Sequence, residues 1–188
     1  SELGKELSTG EIDQIDVAKH HSIDEQTYFS IINKKTASLF QSCVKVGGYS
    51  VGASDIDIAN LSKFVELLGL SFQIKDDIFD YFKDDAIGKP TGNDMREGKL
   101  TLPAIYAINR TDRADVREWA RKVKTGEATA DDIQNLVEYT KQNGGIDYAE
   151  KRMQDLHDEA VAMLSAWNNP EVRDALHGYI DFVVERNL

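Results

Sequence analysis

Between Phe72 and Asp80 the chain reads FQIKDDIFD, which places three aspartates within five residues of an otherwise apolar segment. An ionised carboxylate in apolar surroundings is costly unless it is paired or coordinates something. The stretch is therefore either the solvated end of a core helix or a site for a cation. On a helix, Asp76 and Asp80 lie four apart and nearly in register, and Asp77 lies three before Asp80, about 60° away around the axis. Gln73 extends the same face one turn earlier. Like charges at these spacings destabilise a helix by roughly a few tenths of a kcal/mol per pair, and a hard divalent cation removes that repulsion. Magnesium takes octahedral oxygen coordination, commonly with only one or two carboxylates, the rest being water and phosphate. Asp76, Asp77 and Asp80 suit that chemistry.

Two lysines follow the aspartates, Lys89 and Lys99, in the polar stretch KDDAIGKPTGNDMREGKLT. They either neutralise the carboxylates or hold the far side of a substrate rich in negative oxygens. In NKKTASLF, Lys35 and Thr36 interrupt the apolar turns Ile31-Ile32 and Leu39-Phe40. An ammonium beside a hydroxyl can bind a phosphate oxygen, although such a pair is equally at home on a surface. The GKPT of residues 88–91 is no phosphate-binding P-loop, because the required upstream glycine is missing, proline follows the lysine and no strand feeds it. Cys43 reads as a small buried hydrophobe. His20 and His21 face different ways on a helix and read as solvated or terminal.

The elements that must position these residues are helices. Apolar spacing predicts helices over residues 11–21, from after Ser22-Ile23-Asp24 to the Gly47-Gly48 break, and for more than twenty residues from Asp55. That third helix is apolar on several sides and so belongs at the centre of a bundle. After Tyr81-Phe82 a long polar loop containing Pro90 is expected. Helices then resume over 102–108, 112–123, 129–142, 145–167 and 171–186. No stretch alternates as a strand would. Short connections imply an all-α array of antiparallel neighbours.

Composition narrows the class. The chain has 188 residues, the size of one domain. With 22 basic and 33 acidic residues it carries a formal charge of −11, which argues against nonspecific nucleic-acid binding but not against a phosphorylated substrate held through divalent cations. No apolar run reaches the roughly 20 residues of a membrane span, no signal peptide is evident, and a single cysteine fits a reducing compartment. A cytoplasmic location is expected. The Asn60-Leu61-Ser62 sequon falls inside a helical pattern and is discounted.

KKTASLF from Lys34, GLSFQIKDDIFDY from Gly69, GKPTGNDMREGKLTLP from Gly88 and YIDFVVERNL from Tyr179 together resemble the trans-polyprenyl diphosphate synthases, over essentially the whole chain. The resemblance implies the all-α isoprenoid synthase bundle and a magnesium-dependent condensation. An allylic diphosphate ionises, isopentenyl diphosphate attacks the carbocation, and proton loss leaves a product five carbons longer. It implies that Asp76, Asp77 and Asp80 hold magnesium, with Asp76 the strongest ligand. It also implies that Lys35, Thr36, Gln73, Lys89 and Lys99 line the diphosphate, with Lys35, Thr36, Asp76 and Lys89 in catalytic roles. The family's first aspartate-rich motif and isopentenyl diphosphate site find no match here. Residues 1–188 are accordingly expected to be the carboxy-terminal part of one synthase domain lacking its amino-terminal helices, inactive alone, its cavity covered by the missing part or a second chain. The parent is expected to be a homodimer making a medium-to-long product. The alternative expectation is a noncatalytic helical module pairing with a separate prenyltransferase chain.

Overall fold

In a computed structural model of the chain, residues 24–82 and 91–186 are described. The expected helix over 11–21, His20, His21 and Lys89 lie outside them. Among the described residues every regular element is helical. In chain order these are α1 (Glu25–Ile32), a π-helical turn (Asn33–Ala37), α2 (Ser38–Ser50), α3 (Asp55–Phe79), α4 (Asn93–Arg96), α5 (Leu102–Asn109), α6 (Ala114–Thr125), α7 (Ala130–Gln142), α8 (Gly145–Met163), a 3₁₀ turn (Leu164–Ala166) and α9 (Pro170–Glu185). None is long and apolar enough to cross a membrane.

The chain forms two compact units. One contains Ile31–Lys75 and the segment from Arg152 onward. Its core gathers Phe64, Val65, Leu67 and Leu68 of α3 with Ala160 of α8, Leu164 and the Ile180 and Val183 of α9. Val65 and Leu67 point to nearly opposite sides of α3, yet both are buried, as an all-round apolar helix requires. Full burial of each such side chain stabilises by about 1.5–3 kcal/mol. The last helix starts sharply because Asn169 accepts the backbone N–H groups of Glu171 (3.0 Å) and Val172 (3.3 Å), with Pro170 in the first turn.

The other unit contains residues 24–30, 76–82 and 91–151. Here α5, α6 and α7 pack on one another and α4 packs on α6. A capping box opens α7, with Thr129 and Asp132 exchanging side-chain and backbone bonds. Asp132 also pairs with Lys122 of α6 at 3.0 Å. Tyr106 stacks on Tyr148 with ring centroids 4.1 Å apart, and Tyr148 donates to Glu25 of α1 at 2.6 Å.

Three expectations are corrected. The second helix does not stop at Gly47-Gly48 but continues to Ser50, its real irregularity being the π turn at 33–37. The polar loop after Phe82 contains a short helix, α4. Cys43 is exposed: Phe40 and Val44 face the core, and Cys43 is turned about 80° from that stripe at 3.6 residues per turn.

Candidate functional site

The three aspartates have different surroundings. Asp77 is buried at 5 % exposure, and the Tyr28 phenol donates to its Oδ2 at 2.6 Å. Burial first, then the negative charge of Asp77 and the hydrogen bond to it, push the Tyr28 phenol well above its ordinary range, so Tyr28 stays a donor. Asp80, 7 % exposed, accepts the backbone N–H of Asn93 on Oδ1 (3.1 Å) and of Asp94 on Oδ2 (3.0 Å), and its own carbonyl accepts from Gly92 N–H at 2.8 Å. A carboxylate at the first amides of α4 does the work of a helix cap. Asp76 is half-buried one turn before Asp80.

The loop held by Asp80 requires glycine at one point. Gly92 has φ +75°, and a Cβ there would lie 2.8 Å from Ile133 Cγ2 and 3.2 Å from Val137 Cγ2 of α7. Met95 is buried beneath the loop. Lys99 N–H donates to the Asp94 carbonyl at 2.8 Å, and the Lys99 ammonium pairs with Glu97. Tyr81 is buried, which pushes its phenol above the ordinary range, and its oxygen is 3.5 Å from that of Thr101.

In the other unit, Lys34, Lys35 and Thr36 occupy the π turn, a departure from α geometry found often at functional positions. Thr36 Oγ1 donates to Gln73 Oε1 at 2.8 Å. The approach depends on Gly69, where a Cβ would sit 2.9 Å from Ala37 Cα and 3.2 Å from both Ala37 Cβ and Phe40 Cδ2. Gly69 and Gln73 are four apart on one face of α3. The Arg186 guanidinium donates to the Phe72 carbonyl at 2.9 Å and lies over the Phe72 ring at 4.1 Å. Along α3 itself, Gln73 precedes Asp76 by about one turn.

Among the described residues no three His, Cys, Asp or Glu side chains are grouped to hold a metal ion by themselves. The donors at the end of α3 are nevertheless hard oxygens. A carboxylate offers about four lone-pair sites, so Asp80, with one backbone bond to each oxygen, retains acceptor capacity. This set fits a hard divalent cation such as magnesium, with the protein supplying one or two carboxylates and water or other oxygen ligands the rest.

Residues 1–140 match the family profile described as polyprenyl synthetase. The chain belongs to the polyprenyl synthetase family. It is 32 % identical over 184 residues to the short chain isoprenyl diphosphate synthase of Methanothermobacter thermautotrophicus, covering 97 % of this chain and 54 % of that protein. The crystal structure of geranylgeranyl pyrophosphate synthase from Bacteroides thetaiotaomicron is 47 % identical with a TM-score of 0.94, covering 99 % of this chain and 62 % of that one. The crystal structure of geranylgeranyl pyrophosphate synthase from Corynebacterium glutamicum, complexed with isoprenyl diphosphate and magnesium, is 28 % identical with a TM-score of 0.84, covering 98 % of this chain and 53 % of that one. The chain thus spans little more than half the length of these relatives.

Within this polyprenyl synthetase fold, Thr36 and Gln73 are directly bonded, and Lys35, half-buried, precedes Thr36 in the π turn. Asp76 and Asp77 end the same helix, Asp80 follows it, and Lys99 stands beyond α4. Sequence reasoning passed over Tyr28, Gly69 and Gly92. Tyr28 lies at helical spacing with the apolar Ile31 and Ile32 and so reads as part of their face, and its partner lies 49 residues away. Gly-Asn-Asp at 92–94 was a usable signal for a helix start.

Proposed function

We propose that the full-length protein is a magnesium-dependent trans-prenyltransferase that elongates an allylic diphosphate with isopentenyl diphosphate. The observation that carries this reading is the carboxylate-bearing end of α3, with Asp80 tying the loop of residues 91–99 to it, in a chain of the polyprenyl synthetase family. Magnesium, when bound, screens the diphosphate and assists departure of the leaving group. Asp76 is the principal carboxylate for it, with Asp77 and Asp80 contributing, and Lys35, Lys89 and Lys99 provide ammonium groups for the diphosphate oxygens. Thr36 and Gln73, bonded to each other, are further residues of the proposed diphosphate-binding set. The allylic C–O bond breaks, the double bond of isopentenyl diphosphate forms the new C–C bond, and loss of a proton restores an allylic diphosphate.

The relatives bear synthase names, and a noncatalytic interaction module finds no support in them. We read residues 1–188 as part of one catalytic domain. The exposed Val172, Tyr179 and Phe182 of α9 favour cover by further chain or a second subunit, and a sedimentation mass of one chain refutes the homodimer. Incubation of the full-length protein with farnesyl diphosphate, labelled isopentenyl diphosphate and magnesium should give longer linear diphosphates. A cyclic hydrocarbon as the main product, or no transfer, overturns the assignment. Chromatography after exhaustive elongation reads product length, and products ending at fifteen or twenty carbons overturn the medium-to-long expectation.

A further inference from the structure

The Tyr28–Asp77 pair joins α1 to the end of α3 by a 2.6 Å hydrogen bond between two buried side chains. Phenylalanine would fill the same volume in a purely structural position. The hydroxyl meets a buried carboxylate that would be costly without a donor, and it also bears on how that carboxylate is turned. A donor fixed on one oxygen of a buried carboxylate restricts how that carboxylate can turn, and so bears on how its other oxygen is presented. Carboxylates that hold metals are generally oriented this way by a hydrogen-bonding neighbour, and loss of that neighbour typically costs roughly 10–100-fold in metal affinity or activity. Asp80 has its own orienting donors in the amides of Asn93 and Asp94. Tyr28 is the counterpart for Asp77.

We propose that Tyr28 is a positioning residue for magnesium binding, acting through Asp77 by holding its Oδ2 and with it the setting of the carboxylate. The proposal rests on the prenyltransferase reading, and the phenol itself touches neither substrate nor metal.

The test is a double-mutant cycle in the full-length protein with Tyr28→Phe, Asp77→Asn and the double variant. Two readouts are measured for each: the magnesium concentration giving half-maximal turnover, and direct binding of manganese as a spin probe in the presence of an unreactive allylic diphosphate analogue. Tyr28→Phe should raise the half-maximal magnesium concentration and weaken manganese binding about tenfold. In the Asp77→Asn background the same change should have little further effect, because the carboxylate it positions is gone. Unchanged metal dependence in an otherwise active Tyr28→Phe enzyme overturns the proposal, as does an equal loss in both backgrounds, which marks a purely structural role. If wild-type protein transfers no prenyl group, the functional reading fails instead, and the manganese arm still reads Tyr28.

Discussion

Gly69 is where the helix contact behind the Thr36–Gln73 bond can be tested most directly. In Gly69→Ala the new Cβ meets the backbone of Ala37 at 2.9 Å, whereas ordinary contact begins at 3.4 Å, so the π turn and α3 must separate by about 3.4 − 2.9 = 0.5 Å. Backbone cannot swing aside as a flexible side chain can. Overpacking of this kind costs about 1–3 kcal/mol, and the better helix propensity of alanine returns about 1 kcal/mol. The net destabilisation is then about 0–2 kcal/mol. The functional effect should be larger in relative terms. Transmitted along one turn of α3, the displacement stretches the 2.8 Å bond between Thr36 and Gln73 toward the weak limit near 3.3 Å. A 1 Å misplacement at a reacting centre costs on the order of 100-fold, so half that displacement should lower kcat/KM by about tenfold. The control is Gly47→Ala: Gly47 lies within α2, and its Cβ would meet nothing within 4 Å. That variant should gain about 0.5–1 kcal/mol at unchanged turnover. Steady-state kinetics with thermal melts of both variants decide the matter. Gly69→Ala with wild-type turnover and a melting temperature at or above wild type refutes the reasoning.

Asp76→Ala should lower turnover by about two powers of ten or more, the scale of removing a preorganised electrostatic group, with circular dichroism unchanged because relief of like-charge repulsion does not harm the helix. Asp80→Ala instead leaves two backbone amides without their acceptor and should cost about 0.5–2 kcal/mol in a denaturant titration, with a milder loss of turnover. Near α9, His157 Nε2 contacts Asp181 at 2.8 Å and Nδ1 contacts Asp158 at 3.0 Å, with His177 on the other oxygen of Asp181 at 3.2 Å. Burial opposes the charged ring, but the hydrogen bonds to Asp181 and Asp158 outweigh it and raise the His157 pKa above the ordinary value. A raised folded pKa contributes stability that is complete below the unfolded value near 6.5 and lost as pH rises through the folded one. The urea midpoint should therefore fall between about pH 6 and 8, and a His157→Phe variant whose midpoint falls as steeply as wild type sinks this account.

How far the sequence discloses this site depends on whether each feature is local. The α3 helix is legible because its apolar residues recur at helical spacing on more than one side, and its acidic end is legible because Asp76, Asp77 and Asp80 stand out against Phe72, Ile74 and Ile78. The capping box at Thr129 and Asp132 is likewise a local pattern of four residues. The π turn is not, since one extra residue in a helical hydrogen-bond register leaves no mark on composition. Nor is the division among the aspartates. In sequence Asp77, between Asp76 and Ile78, and Asp80, between Phe79 and Tyr81, carry no mark of different partners. In the fold one meets a phenol 49 residues away and the other meets amides 13 and 14 residues ahead. Charge and spacing announce that carboxylates converge, but a carboxylate's partner is chosen by whatever the tertiary fold brings against it. The same limit applies to Gly69, whose need for a missing Cβ exists only because Ala37 approaches to 2.9 Å. The chemistry of this site is therefore written in α3, and its alignment is written in the segments that α3 meets.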